Sequence, residues 1–162
     1  MATVSLLLGG NIGNTAALFD RAFALLEERV GGVVCASARH TTPAWGFECE
    51  SDFLNQALDI ECHLSPLELL DITQSIEQEL GRSYQAERDE KELSGERYCS
   101  RPIDIDILLW EDKIVEHERL NIPHKELALR SFALKPLAEI CPERVHPKLR
   151  LTIAEMAQNR TI

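Results

Sequence analysis

The run Ile103-Asp104-Ile105-Asp106-Ile107 carries the strongest chemical signal in the chain. In a strand, alternate side chains leave on opposite faces, so Asp104 and Asp106 share one face while the three isoleucines enter a core. The two carboxylates then stand roughly 6–7 Å apart on a stiff backbone. With no side-chain cation between them, their repulsion is a cost that a divalent metal relieves. Magnesium takes one or two carboxylates together with waters and substrate phosphate oxygens, and this pair offers that kind of ligand set. Two solvated aspartates on a half-exposed strand are the plainer alternative. Against it, aspartate is depleted in strands, and here two interrupt an apolar run that begins just after Arg101.

Arg82, Arg88, Arg97 and Arg101 bracket the polar segment leading into that strand. Guanidinium forks match phosphate oxygens and are always charged. Metal on the strand and arginines on a closing loop would clamp a triphosphate and exclude water. Arg82 to Arg101 also holds five basic and five acidic side chains, so pairing within the segment is the competing reading. Asn55 interrupts another strand, and its amide both donates and accepts, which suits either the edge of a heterocycle or a backbone group. Trp45, Phe53 and Phe132 could sandwich a planar ring or simply fill core. His124, after Pro123, could donate to a phosphate or to a loop carbonyl. Gln74 and Glu77 lie three apart on one helix face, for which a solvated surface is the simpler reading.

These residues need elements to position them. Thr3–Leu8 reads as a buried strand running into Gly9-Gly10-Asn11. Asn14 then caps a helix over about 15–30, with Leu18, Ala22, Leu25, Leu26 and Val30 on the helical period and Gly31 as its stop. A strand is expected over Val33–Arg39, and Thr41 to Gly46 as a loop broken by Pro43 and Gly46. Phe53–Glu61 is the next strand. Ser65-Pro66-Leu67-Glu68 is a helix start, with a serine cap, proline at the first position and glutamate closing the box. Leu69, Ile72, Ile76 and Leu80 point inward before Gly81. Arg82 to Ser100 lacks periodicity and is expected to be an exposed, mobile loop. Arg101–Trp110 is the clearest strand, followed by a turn at Glu111-Asp112 and a short strand over Lys113–Val115 pairing back on it. A helix over about 126–139 and a short one near Thr152–Gln158 complete the chain. Strands and helices mix without a strict βαβ repeat, which predicts an α+β sandwich with a mainly antiparallel sheet and one domain over 1–162.

Composition narrows the function. With 162 residues, 44% hydrophobic and 27% charged, the chain has the profile of a soluble globular protein. A net charge of −10 disfavours a general nucleic-acid binder. The N-terminus lacks the basic and apolar regions of a signal peptide, so a cytoplasmic protein is expected. Five scattered cysteines without a C-x-x-C pair suggest inert thiols and neither disulfides nor structural zinc.

In order along the chain, these motifs resemble the hydroxymethyldihydropterin pyrophosphokinase family. They are Leu8-Gly9-Gly10-Asn11-Ile12-Gly13, Thr42-Pro43-Ala44-Trp45-Gly46, Phe53-Leu54-Asn55, Ile76-Glu77 leading to Gly81-Arg82, Arg101-Pro102-Ile103-Asp104-Ile105-Asp106-Ile107-Leu108, and Ile122-Pro123-His124 followed by Arg130-Ser131-Phe132. The resemblance implies a ferredoxin-like α+β fold and transfer of the β,γ-diphosphate of ATP to 6-hydroxymethyl-7,8-dihydropterin, releasing AMP, in folate synthesis. It implies that Asp104 and Asp106 hold two magnesium ions with the ATP phosphates. Thr42, Pro43, Trp45, Gly46, Phe53, Asn55 and Phe132 would surround the pterin. Gln74, Glu77, Arg82, Arg97, Arg101, Ile107, Leu120, Asn121, His124 and Arg130 would contact the nucleotide, with Arg82, Arg97 and Arg101 at the transferring phosphates. Members of the family usually act as monomers. Many carry R-W-G-P-R before the D-x-D strand, where this chain has Arg97-Tyr98-Cys99-Ser100-Arg101 after a longer acidic segment, and Tyr84 stands where arginine is common. That departure leaves open a ligand-binding module without turnover, and a different two-metal enzyme on a similar sheet is a further alternative, separated from the first reading by the pterin-pocket residues.

Overall fold

The computed structural model of the chain describes residues 1–11, 13–42, 52–83 and 102–158. Four antiparallel strands form the main sheet: β1 (Ala2–Gly10), β2 (Val33–Ala36), β4 (Phe53–Cys62) and β5 (Asp104–Trp110), in the order β2-β4-β1-β5. The three-residue β3 (His40–Thr42) adds to the outer end of β4. A hairpin of β6 (Val115–Glu116) and β7 (Asn121–Ile122) stands apart. Helices α1 (Thr15–Arg29) and α2 (Pro66–Glu79) cover one face. Helices α3 (Ser131–Ile140) and α4 (Ile153–Gln158) cover the other. The expected α+β sandwich with an antiparallel sheet and helices on both faces is what the chain forms.

Period-two burial explains both cores. Val4, Leu6, Leu8, Leu58, Ile60, Ile105 and Ile107 meet Phe19, Ala22, Leu26, Leu69 and Ile76 of α1 and α2. Leu7, Ala57, Leu108 and Leu109 meet Ala133, Leu134 and Leu137 of α3 and Ile153 and Met156 of α4. Each fully buried Leu, Ile or Phe contributes about 1.5–3 kcal/mol through desolvation. Arg144 grips Asp59 with two bonds of 3.1 Å and Ser5 with one of 2.6 Å, tying the C-terminal segment to the sheet floor.

The caps follow the sequence. Asn14 accepts from Ala17 N–H, and Ser65 and Glu68 form the capping box. Gly81 has φ +110, the left-handed stop that glycine tolerates. Other boundaries moved. The expected 33–39 strand stops at Ala36, because the Ser37 hydroxyl and Gln56 side chain take over backbone pairing there. Thr41 and Thr42 are in β3, not a loop. β5 begins at Asp104, not Arg101, since Pro102 has no N–H for a ladder. Residues 113–115 do not pair back on β5. Instead, His117 and Leu120 exchange backbone bonds and fold β6 onto β7. The helix expected from 126 begins at Ser131, because Arg130 is extended and Leu127–Leu129 form a 3-10 turn.

Candidate active site

The site is built on a row across the sheet. Gly9 of β1 pairs with Asn55 on one side and Asp104 on the other, and His40 pairs with Asn55 beyond. Directly paired residues point to the same face. Asn55 and Asp104 therefore stand on one face with a residue lacking a side chain between them. An added Cβ on Gly9 would lie 3.3 Å from Asn55 Oδ1, so glycine is what leaves the amide its place. Asn55 is only 3% exposed, and its Nδ2 donates to the Thr42 hydroxyl at 3.1 Å. Among the described residues its partner is that side chain and not strand-edge backbone.

Asp104 and Asp106 are partly exposed, while Ile103, Ile105 and Ile107 are buried, as alternation requires. The expectation that no cation attends the pair is corrected. Arg82 donates to Asp104 at 2.9 Å, and Arg130 reaches Asp106 at a looser 3.4 Å. Arg130 also forks onto Glu126 and lies 5.5 Å over the Phe132 ring. Glu77 is no solvated helix face either. It is 4% exposed, and its Oε2 accepts from both Ile105 N–H at 2.7 Å and Arg82 at 3.0 Å. Gln74, three residues before it, is half-buried.

A cavity of about 250 Å³ opens at β5, the outer strand of the sheet. Leu70 of α2, Ile105 to Ile107, Glu118 to Asn121 of the hairpin, His124 and Lys125 line it. The site expectations for Ile107, Leu120, Asn121 and His124 thus converge on one cavity that also reaches Asp106. Ile105 sends its N–H outward to Glu77, so Ile107, two residues on, presents its backbone groups on the same outer edge. Arg119, held to Asp71 of α2 at 2.6 Å, and Lys125 are lining residues that periodicity did not single out. His124 Nδ1 accepts from Glu126 N–H, which leaves the proton of the neutral ring on Nε2. Burial, then the Arg130 charge, pushes its pKa down, against opposing pulls from Glu126 and Asp104.

The two strand carboxylates offer hard oxygens on one face. Among the described residues no group of three or more His, Cys, Asp or Glu side chains is placed to hold a metal. The donor set therefore fits a magnesium that completes its shell with water and phosphate oxygens, as this ion commonly does. Pro43, Trp45, Gly46, Arg88, Arg97 and Arg101 lie outside the described residues. Phe53 is half-buried at the start of β4 and Phe132 half-buried in the first turn of α3.

The family model for 7,8-dihydro-6-hydroxymethylpterin-pyrophosphokinase matches residues 5–142. The chain belongs to this family. Its similarity to curated pyrophosphokinases runs nearly end to end. The chain is 38% identical over 149 residues to the 2-amino-4-hydroxy-6-hydroxymethyldihydropteridine pyrophosphokinase of Porphyromonas gingivalis, covering 91% of this chain and 96% of that one. It is 35% identical over 162 residues to the enzyme of the same name from Aquifex aeolicus, covering 100% and 94%. The figures for Methylorubrum extorquens are 41% over 139 residues, 85% and 82%. Among solved structures, wild-type HPPK-DHPS of Plasmodium falciparum superposes with a TM-score of 0.73 at 18% identity. That match covers 98% of this chain but 44% of the longer one, and it speaks for the fold alone. The pyrophosphokinase family match spans the row Asn55-Gly9-Asp104, the D-x-D pair and the β5 cavity together.

Proposed function

We propose that this chain transfers the β,γ-diphosphate of ATP to the hydroxymethyl group of 6-hydroxymethyl-7,8-dihydropterin, releasing AMP, in folate biosynthesis. What supports this reading is the row Asn55-Gly9-Asp104, which sets a buried amide and a partly exposed carboxylate on one face of the sheet. Strands lie about 4.8 Å apart, so two steps across the sheet separate these groups by about 10 Å. That span suits a pterin ring whose hydroxymethyl arm reaches toward a triphosphate.

Each residue then has a task. Thr42, Asn55, Phe53 and Phe132 hold the pterin, with Pro43, Trp45 and Gly46 completing its pocket. Ile107, Leu120, Asn121 and His124 hold the nucleotide in the β5 cavity, with Gln74 at its margin. The cavity is smaller than the roughly 300–1,000 Å³ of sites that enclose a whole drug-sized ligand, so it takes part of the nucleotide and leaves the phosphates outward. Asp104 and Asp106 would hold the two magnesium ions that accompany the nucleotide. The metal's contribution is neutralisation of phosphate charge and alignment of the chain for in-line attack. Arg82, aimed by Glu77, and Arg130 stand beside the two aspartates and pass to phosphate oxygens when the nucleotide arrives. Arg97 and Arg101 complete that clamp. The pterin hydroxyl oxygen forms a bond to the β-phosphorus and gives its proton to solvent, the bond from that phosphorus to the oxygen it shares with the α-phosphorus breaks, and AMP leaves with that oxygen and the electron pair. Positioning and charge neutralisation supply most of the acceleration, and no side chain is assigned as general base.

The reading extends to one pyrophosphokinase domain over 1–162 acting in the cytoplasm as a monomer, without nucleic acid. No helix among the described residues is long and apolar enough to cross a membrane. The net charge of −10 suits a protein that does not bind nucleic acid. The test is a coupled assay for AMP from ATP and magnesium, with and without the pterin alcohol. Pterin-dependent AMP is the expected result. No AMP, with both ligands still bound in calorimetry, would transfer the reading to a binding module.

A further inference from the structure

β3 is three residues long and, among the described strands, pairs with β4 alone, matching His40 with Asn55, Thr41 with Leu54 and Thr42 with Phe53. So short a strand has few ladder bonds to hold its place. Glu139, near the end of α3, supplies a further hold. Its Oε2 accepts from Ala38 N–H at 2.9 Å, and its Oε1 pairs with the Nε2 of His40. The Ala38 bond holds the Glu139 carboxyl below the usual carboxylate range, so the group is charged at neutral pH. On the other side of the same connection, Gln56 donates to Ser37 O at 2.8 Å and accepts from Arg39 at 3.2 Å. The segment 37–40 is thus fastened from both sides, and two residues further on Thr42 receives the Asn55 amide.

Phe132 precedes Glu139 by seven residues, about two turns, which places both on the same side of α3. One helix therefore carries the ring assigned to stack on the pterin and the carboxylate that fastens the strand opposite. We infer that Glu139 is a positioning residue for the pterin: through Ala38 and His40 it holds β3 so that the Thr42–Asn55 pair is presented to the ring that Phe132 supports. This rests on the assignment of Thr42, Asn55 and Phe132 to the pterin. The nucleotide cavity lies across the sheet at the far edge of β5, beyond β1, so the anchor acts on one substrate and spares the other.

The experiment measures two dissociation constants with the whole chain. One is for the pterin alcohol in the presence of magnesium and α,β-methylene ATP, whose α–β bridge cannot be cleaved. The other is for that nucleotide analogue alone with magnesium. Glu139→Ala and His40→Ala should each raise the pterin constant about tenfold, as expected for loss of a charge-assisted bond. The double variant should be no worse than the worse single one, because the two residues act as a unit. The nucleotide constant should change by less than about twofold. Glu139→Gln, which keeps an acceptor for Ala38 N–H, should recover most of the pterin affinity. Unchanged pterin binding in Glu139→Ala would overturn the inference. So would equal weakening of both ligands alongside a lower melting temperature, which is the mark of general destabilisation. Wild-type protein that binds the nucleotide but no pterin would instead overturn the functional reading, and this inference with it.

Discussion

Glu77 of α2 accepts the backbone N–H of Ile105, the residue between the two aspartates, and with the same oxygen accepts Arg82. One buried carboxylate thus pins the D-x-D strand to a helix and aims a guanidinium onto Asp104, 2.9 Å away. Removing it leaves a buried N–H without its acceptor and a largely buried arginine with less of its counter-charge. Glu77→Ala should lower stability by about 2–4 kcal/mol, read as a lower urea midpoint. Turnover should fall at least about tenfold, since Arg82 loses its aim. An unchanged midpoint with unchanged kinetics would return Glu77 to the status of a surface residue.

Gly9→Ala tests the row across the sheet. The backbone accepts alanine, but the new methyl meets Asn55 Oδ1 at 3.3 Å and pushes the amide aside by a few tenths of an ångström. The KM for the pterin should rise by about three- to tenfold while that for ATP holds, because a small misplacement affects only the group it touches. Equal changes in both constants would show that Asn55 does not belong to the pterin side.

Asp104→Asn and Asp106→Asn keep shape and remove charge. Both side chains are partly exposed at the end of the sheet, so circular dichroism should report an intact fold. Wild-type protein should bind α,β-methylene ATP about tenfold or more tightly with magnesium than with EDTA, and each variant should lose most of that difference. A full magnesium effect in both variants would place the metal elsewhere.

His146 supplies a pH test away from the site. It is 5% exposed, and its Nδ1 accepts from the N–H groups of Lys148 and Leu149. Burial, then the Lys148 charge, pushes its pKa down, as burial does for His124. A histidine whose folded pKa is depressed binds its proton more readily when unfolded. Its contribution is therefore complete above the unfolded value of about 6.5 and is lost as pH falls toward the folded pKa. Wild-type melting temperature should drop between about pH 7 and pH 5.5, and His146→Asn, which keeps an acceptor, should flatten part of that slope. A slope untouched by the substitution would assign the loss to other groups.

Much of this was legible in the residues because local rules and tertiary demands agree. The Ser65–Glu68 capping box, the Asn14 cap and the alternation through Ile103–Ile107 each need only their own neighbours, and each formed as expected. Glu77 was misread because polarity on a helix ordinarily signals solvent. Only the arrival of β5, 28 positions along the chain, makes its burial favourable. The partners of Asp104 and Asp106 were missed for the same reason, since Arg82 and Arg130 approach through the fold and not along the strand. The strand expected at 113–115 gave way to the β6–β7 hairpin, which is closed by the reciprocal backbone bonds of His117 and Leu120 and not by any signal in the residues that follow β5. Gly9 stood in a motif, but its use appears only once Asn55 and Asp104 are seen on either side of it.

On the proposed function, a diphosphate crosses intact from nucleotide to pterin at the D-x-D face. Phosphorus NMR of ATP, magnesium and the pterin alcohol with wild-type protein and with Asp106→Asn tests it most directly. AMP and a pterin diphosphate should form in equal amounts with the wild type, and neither with the variant. ADP in place of AMP, or the same products at the same rate from Asp106→Asn, would contradict it.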